Sequence, residues 1–557
     1  MIQSNQYRLL LVLAGALLYF PFLGEAPLFD WDEVNFAESA REMLLTGDYF
    51  RVQINFRPFW EKPPLFFWLQ SASMWLFGIN EYAARFPNAV FGIINLLMLF
   101  EIGRKMRSER FGLLMAAFMG VSFLPFVYFK SGIIDPVFNT FIFAGVWNMA
   151  KAARIYGQTK ARRYSILSGI FIGLAILTKG PVALLLALLT VFIYWAFKRF
   201  RPIVSFPNLL VTACSIFLVS ALWFGVETIK NGPWFLSEFI EYQIRLFSTP
   251  DAGHKQPIYY HFVVVFIGCF PMSLLGLRAL FRNPNFRVED PDFLLWMKIL
   301  FWVVMILFSL VTTKIVHYSS MAYLPLSAIA AMSMEEYLRG RQKWTRLQTL
   351  LLVVPGMLIG LAMLALPWVG MHTSYIISKL KDPFAAANLE AQVAWTYFDM
   401  LPGFIWLAGL AGGIYYLGKG TYRATLLFFS GFTMVSTFLF LYIFPAKIAG
   451  YTQQAACEHY KSLEGKDVYV ETLGFKSYAQ YFYFKKQGLS ESELKNSLEQ
   501  DGYYHIDALR SWLLTGNIDK PAYFVCKIQH ADEFLAKPGI QYLGEKNGFV
   551  FLKRDPE

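Results

Sequence analysis

The residues best able to do chemistry in this chain sit where a hydrophobic sequence ought to carry none. Asp32 and Glu33 follow Trp31 just past the first apolar run, and Arg57, Glu61 and Lys62 stand close by in RPFWEKPP. Further on come Asp135 in SGIIDP, Lys179 in TKGP, Arg245, His254 and Lys255 in one long polar interval, and Lys314 with His317 in TKIVHY. Carboxylates of this kind activate an acceptor or bind a metal, and cations hold phosphate and stabilise the charge that develops on it. Ionisable side chains at helix ends in a bilayer are expensive and tend to mark substrate paths. Each has a plainer reading when taken alone. Asp32 and Glu33 make an ordinary solvated acid pair, Asp135 before Pro136 caps a helix, Lys179-Gly180-Pro181 is a turn, and Glu61 with His254 is two ligands short of a metal site. Their number on one side of the chain's topology is what points to a site.

The elements that must position them are membrane helices. The chain has 557 residues, 56% hydrophobic and only 16% charged, with a mean hydropathy of +0.41. Soluble domains carry about 25% charged residues, and a span needs roughly 20 mostly apolar ones. The class is a polytopic α-helical membrane protein. The first apolar run, residues 9–23, reads as a membrane helix rather than a cleaved signal, because its flank lacks the small-residue cleavage pattern. Others centre near residues 93, 119, 143, 172, 189, 218, 267, 303, 324, 357, 408 and 433, about thirteen in all. The net charge of +11 is spread over clusters between runs, such as Arg104, Lys105, Arg107 and Arg110, then Lys198, Arg199 and Arg201, then Arg339, Arg341, Lys343 and Arg346. That is the positive-inside pattern, not a nucleic-acid stripe. It predicts a cytoplasmic N-terminus. The first loop 24–64 with its interfacial helices, the long loop 230–257, the loop 368–400 and the tail then face outward.

Residues 1–446 form the membrane domain. Residues 447–557 read as a small soluble α/β domain on the outer side: DVYVETLG, PAYFVCKI and FVFLKR are strand patterns, with KSYAQYFYFKK and HADEFLAKPG helical between them. It has no phosphate loop and no acid or base cluster. Of four cysteines, Cys457 and Cys526 lie in this tail, where a single bridge is one alternative to free thiols.

The series DWDEVNFAESAREM, FWEKPPLFFWLQ, LFGINEYAARFPN, SGIIDPVFNTF, GLAILTKGPVALLL, HKQPIYY and TKIVHYSSMAYLPL resembles the bacterial branch of the protein O-mannosyltransferase superfamily, and within it the aminoarabinose transferases that modify lipid A. The resemblance implies a GT-C glycosyltransferase of the bacterial inner membrane that takes a sugar from a polyprenyl (undecaprenyl) phosphate on the outer face. It implies that Asp32 and Asp135 are the catalytic acids, with Asp32 activating the acceptor. Lys62, Arg57, Arg245 and Lys255 would bind the donor phosphate, and Glu33, Lys179, Lys314 and His317 would line the acceptor side of the pocket. Glu61 with His254 would hold a divalent metal, Zn, Mg or Mn, and no organic cofactor is implied. The family's first motif has Arg-Tyr where Asn35 and Phe36 stand here. A phosphate-binding cation is therefore missing.

The expected reaction is an inverting transfer, with base and leaving group on opposite sides of the sugar carbon. The acceptor is lipid A or another envelope glycan. A protein hydroxyl is the alternative within the superfamily, and a lipid-linked sugar transporter or flippase is the rival of another class. Transporters place their binding groups near the bilayer midplane in related halves, whereas these charges sit at helix ends.

Overall fold

The computed structural model describes residues 4–59, 61–248, 256–281, 291–497 and 505–557. Helix α1 (Ser4–Tyr19) leads into a polar interval holding α2 (Asp32–Thr46), a ribbon of β1 (Gln53–Ile54) and β2 (Arg57–Pro58), and α3 (Leu65–Phe77). The bundle continues through α4 (Glu81–Met106), α5 (Glu109–Val121), α6 (Phe123–Phe129), α7 (Asp135–Arg154), α8 (Ala161–Lys179), α9 (Val182–Phe197), α10 (Phe206–Asn231) and α11 (Trp234–Ser248). Then come α12 (Tyr260–Gly268), α13 (Met272–Phe281), α14 (Pro291–Leu310), α15 (Tyr323–Leu338), α16 (Arg346–Met371), α17 (Thr373–Ile377), α18 (Pro383–Leu389), α19 (Leu401–Gly418) and α20 (Tyr422–Gly450).

Local chemistry sets where these helices begin and end. Asn80 caps α4 by accepting from the Ala83 N–H, and Ser108 caps α5 by accepting from that of Phe111. A capping box of Thr345 and Gln348 starts α16. The helices close on aromatic and aliphatic side chains, among them Tyr19, Phe100, Phe111, Phe143, Trp296 and Tyr323, all buried in one core. Helices α4 and α5 meet backbone to backbone: a Cβ on Gly103 would fall 2.6 Å from the Gly112 Cα, so only glycine fits there. At the basic end of the bundle, buried Arg107 reaches Glu335 at 2.5 Å and Glu336 at 2.9 Å, fastening α4 to α15.

Among the described residues, seven helices are long and apolar enough to cross a membrane: α4, α8, α10, α14, α16, α19 with the turn before it, and α20. Helices α5 and α6 would add an eighth but are bent by 76°. Of the other apolar centres read from the sequence, that near 143 falls on the 20-residue α7 and the rest on shorter helices, since α1, α9 and α15 have 16 residues each and the run near 267 is divided between α12 and α13. Hydropathy alone cannot tell such a helix from a full span.

The C-terminal residues form a four-stranded mixed sheet, ordered β3 (Tyr469–Leu473), β4 (Ala522–Lys527), β6 (Phe549–Arg554), β5 (Ile540–Lys546). Strands β3 and β4 are parallel, with Tyr469 opposite Ala522, and their crossover carries α22 (Ala479–Phe484), α23 (Glu491–Asn496) and α24 (Ile506–Thr515). This unit, with α21 (Gln454–Ser462), shares a core with the first loop: Leu28, Val34, Ala37 and Ala40 pack with Tyr460, Phe482, Tyr483 and Val525.

Three expectations change. The SAREMLLTGDYF helix ends at Gly47 as read, with φ of 69°, but α2 is buried from Glu33 to Met43 because the C-terminal unit covers the side an interfacial helix would turn to water. The intervals 230–257 and 368–400 are not simple loops. The first contains α11, and the second contains the end of α16, then α17 and α18. Cys457 and Cys526 are both buried free thiols, so the bridge alternative is not realised.

Arg107→Ala would take the one buried cation from two buried carboxylates, leaving them only the half-exposed Arg339 and Arg341. It should lower stability by about 3–5 kcal/mol, measured as thermal unfolding in detergent, whereas Arg339→Ala, at a half-exposed pair with Glu335, should change it by about 1 kcal/mol or less.

Candidate active site

The site is assembled at the end of the bundle away from the Arg107 pairs. Helix α2 starts directly at Asp32, and the residue before it, Trp31, holds φ 82° and ψ −88°, a backbone region that side chains other than glycine avoid. Trp31 is kept there by Tyr478, whose ring centroid lies 5.8 Å from its own, and by the Lys476 ammonium 4.7 Å over the indole.

Glu33 points the other way. Its carboxylate takes Arg85 at 2.7 and 3.0 Å, the Phe29 N–H at 2.8 Å and the Gly132 N–H at 2.5 Å. The structure thus removes Glu33 from the pocket and gives it to the scaffold, because a buried carboxylate needs this many donors. Two further acids of α2 are also committed to structure. Glu38 forms a two-pronged pair with Arg41 at 2.6 and 2.7 Å, and Glu42 accepts from the Phe56 N–H at 2.8 Å. Burial raises the Glu42 pKa, and the neighbouring Glu38 pushes it the same way.

The remaining charges converge. His317 lies in the 3-10 turn Val316–Ala322, its Nδ1 3.8 Å from Asp32 Oδ2 and its Nε2 4.0 Å from Asp135 Oδ2. These distances are too long for direct hydrogen bonds and short enough for a bridging water or for strong charge coupling. Asp135, buried at the start of α7, accepts from Lys179 Nζ at 2.6 Å. The turn bearing His317 is braced by Ser320, whose hydroxyl donates to the His317 carbonyl at 2.5 Å and accepts from Asn139 Nδ2 at 2.8 Å. A partly open cavity of about 630 Å³ is lined by Lys62, Asp135, Asn139, Lys179 and Tyr318, with Phe308 and Val311 as its apolar side.

Burial lowers the His317 pKa, against the pull of Asp135 and Asp32, so the ring is neutral at pH 7. A neutral imidazole between two carboxylates can accept a proton at one nitrogen and donate at the other. Burial also lowers the Lys62 pKa; Lys179 adds repulsion, while Glu61, Asp32 and Asp135 work against it. The cavity therefore offers two cations for an anionic leaving group, and Asp32, across His317 from Asp135, adds beyond the cavity wall a carboxylate whose side chain is 39% exposed.

None of the other predicted residues among those described lines this cavity. Arg57 is on the β1–β2 ribbon opposite Ile54, and Arg245 is exposed on α11. Lys314 is buried with its ammonium donating to the Val311 carbonyl at 2.7 Å. Glu61 adjoins Lys62, but His254 and Lys255 fall outside the described residues, so their parts in the metal and phosphate sites have no geometry here. Among the described residues no three His, Cys, Asp or Glu side chains gather as a metal set. Sequence reasoning missed Arg85, Asn139 and Ser320. Arg85 had a signal, a guanidinium inside an otherwise apolar helix; the other two are small polar residues whose role depends on tertiary contact.

If protonated Lys62 is needed by the free enzyme, kcat/KM should fall on the alkaline side at a pH below 10.5, the ordinary lysine value. Lys62→Arg keeps the charge and should move that limb upward; a limb that stays in place would assign it to another group.

Comparison with known proteins matches this architecture. Residues 61–224 match the family described as dolichyl-phosphate-mannose-protein mannosyltransferase. The chain is 29% identical over 434 residues, 72% of its length and 75% of the relative's, to an undecaprenyl phosphate-alpha-4-amino-4-deoxy-L-arabinose arabinosyl transferase of Pectobacterium atrosepticum. It is 27% identical over 435 residues, 74% of this chain and 76% of the relative, to the protein of the same description from Erwinia tasmaniensis. In fold it superposes with TM-score 0.77 on the crystal structure of ArnT from Cupriavidus metallidurans bound to undecaprenyl phosphate, at 17% identity and over 100% of both chains.

Proposed function

We propose that this chain, an ArnT-like membrane glycosyltransferase of GT-C fold, moves an aminoarabinose-like or hexose sugar from undecaprenyl phosphate to lipid A or a related envelope acceptor, with inversion, on the outer face of the inner membrane. The observation that carries the reading is the chain of charges Asp32, His317, Asp135 and Lys179, whose last two members line one cavity with Lys62. The relatives' descriptions supply the donor and the sugar class, and they set the transporter reading aside.

In the proposed reaction the acceptor oxygen attacks the anomeric carbon from the face opposite the phosphate. A carbon–oxygen bond forms as the bond to the phosphate oxygen breaks, and polyprenyl phosphate leaves with the electron pair. Lys62 lies on the leaving oxygens, where cations are worth most as charge develops. Lys179, held by Asp135, keeps a second positive charge close behind. A phosphate acceptor is already anionic, so Asp32 then orients it through its other oxygen contacts. A hydroxyl acceptor must lose a proton, which Asp32 takes and neutral His317 can relay. The match of residues 61–224 to a protein mannosyltransferase family favours this second case as the alternative.

Asp32→Asn should lower transfer by roughly 10²–10⁴-fold while the protein still inserts and unfolds at the parent temperature, read as release of polyprenyl phosphate from a lipid-linked sugar. Near-parent turnover would remove Asp32 from the mechanism. Deleting the gene and comparing lipid A with glycoproteins by mass spectrometry separates the two acceptors.

A divalent ion held by Glu61 with His254 would share the leaving-group charge. Chelation should then abolish turnover and Zn, Mg or Mn restore it; full activity after chelation would assign that charge to the lysines alone. The topology proposed with this reading has all thirteen apolar centres crossing, a cytoplasmic N-terminus and a periplasmic C-terminal domain. It is supported by the basic end around Arg104 and Arg107 lying opposite the site, and is tested by reporter fusions after residues 204, 340 and 557.

A further inference from the structure

A second cavity, about 1290 Å³, opens where the Asp30 end of the first loop meets the end of α20 and the C-terminal unit. Its contents have no place in the scheme above. Lys476 and Lys527 both line it, and among the described residues neither forms a salt bridge. Instead Lys476 lies over Trp31 and Tyr478 at 4.7 and 5.5 Å, and Lys527 over Phe384 and Phe475 at 4.7 and 5.6 Å. Three buried polar atoms of the same wall, Asn388 Oδ1, Gln453 Oε1 and the Tyr460 hydroxyl, have no hydrogen-bond partner. Asn388 is only 8% exposed. Buried polar atoms are nearly always satisfied, so a wall that holds three unmatched ones just behind its surface favours an occupant that can reach them. One acid, Asp30, is also in the wall. It is held by the Ser477 hydroxyl at 3.0 Å and the Trp31 N–H at 2.9 Å, so it belongs to the loop's own bracing.

These groups describe one kind of occupant. Two ammonium groups against the single carboxylate of this wall, Asp30, which attracts Lys527 but is already hydrogen-bonded, suit a phosphate. Unmatched amide oxygens and a phenol suit the hydroxyls and amides of a sugar, and Phe384, Phe475 and Phe549 offer flat apolar faces to its carbon skeleton. A lipid tail would leave the polar atoms unmatched, and a bare phosphate would leave the rings uncovered. Position adds the role. Asp30 lines the cavity and Asp32 is two residues on, a separation that the backbone can stretch to at most about 7 Å.

We propose that this cavity is the acceptor subsite, binding a phosphorylated sugar headgroup through Lys476 and Lys527 so that another part of the headgroup lies against Asp32. It rests on the reading of the chain as an envelope glycosyltransferase, and commits that reading to an acceptor with at least one phosphate besides the group that receives the sugar.

The test uses the full-length protein with bisphosphorylated and monophosphorylated lipid A, comparing the parent with K476Q/K527Q and K476R/K527R. The Gln pair should raise the KM for bisphosphorylated lipid A by about tenfold or more, as loss of charge-assisted hydrogen bonds does. The effect should be smaller on the monophosphorylated form, and the Arg pair should stay near the parent. An unchanged acceptor KM in the Gln pair, an equal loss on both lipid A forms, a shift in the donor KM instead, or an equal loss in the Arg pair would each overturn the subsite. Binding of bisphosphorylated lipid A without donor, followed by tryptophan fluorescence, reads the cavity apart from turnover. Binding lost in the Gln pair and kept in the Arg pair supports it, and no binding to the parent overturns it. A parent that binds but transfers no sugar overturns the proposed function and leaves the subsite standing.

Discussion

The arrangement depends on one buried ion pair, Glu33 with Arg85. Each partner is nearly inaccessible to water, and such a pair stands only if every remaining hydrogen-bonding position is filled. Here they are filled from three directions. Arg85, on α4, also donates to the carbonyls of Leu23, Ala26 and Pro27 at 2.7–2.8 Å, fixing the chain that leaves α1. Glu33 collects the N–H groups of Phe29 and Gly132, fixing both the approach to α2 and the loop that leads into α7. Asp32 is the residue before Glu33, and Asp135 follows Gly132 by three. A single carboxylate thus sets the backbone positions of both acids that flank His317, though it contributes nothing to the cavity itself.

A second constraint acts on the same segment from the other side. The backbone at Trp31 occupies a region that costs on the order of 1–3 kcal/mol, so something must over-determine it. The C-terminal unit does so: Tyr478 and Lys476 cover the indole, Ser477 holds Asp30, and the Tyr483 hydroxyl accepts from the Leu28 N–H at 2.8 Å. Arg41 on α2 donates to the Lys486 carbonyl at 2.7 Å, and Lys486 in turn reaches Asn55 at 2.7 Å. The C-terminal unit is therefore part of the frame that positions Asp32. A domain whose own sequence carries no catalytic cluster can govern catalysis in this way, by holding a strained turn closed.

What could be read from the sequence follows the range of each signal. Apolar runs and basic clusters are local, so the helical membrane class and the positions of α4, α8, α16 and α20 along the chain were legible. Lengths were not, because α9 and the bent α5–α6 pair are as apolar as a span but are shorter or broken. Asp135, Lys179 and His317 stood out as charges at helix ends, and they do meet. Glu33 stood out equally and does not, since an acid pairing with an arginine 52 residues away looks in sequence the same as one facing a substrate. The burial of α2 was hidden for a related reason. Its partner is a domain more than 400 residues away, and its charged residues resemble a solvated face until Arg41, Glu38 and Glu42 are seen to be paired or hydrogen-bonded internally.

The departure at Asn35 gains meaning from this geometry. Asn35 lies on α2 one turn beyond Asp32, buried, with its Oδ1 unpartnered. An arginine here would add a buried positive charge beside the two acids; asparagine adds only a dipole. Lys179 is drawn to Asp135 at 2.6 Å, so the site without that arginine holds its lysines and acids in near balance. A bound phosphate must then compete with Asp135 and Asp32 for the same cations. Each gain in its hold on Lys62 loosens the lysine's attraction to the acids. Under the proposed reaction, a site poor in spare cations in this way would leave Asp32 free for the acceptor as the phosphate draws on the lysines, whereas an added arginine would hold the donor more firmly.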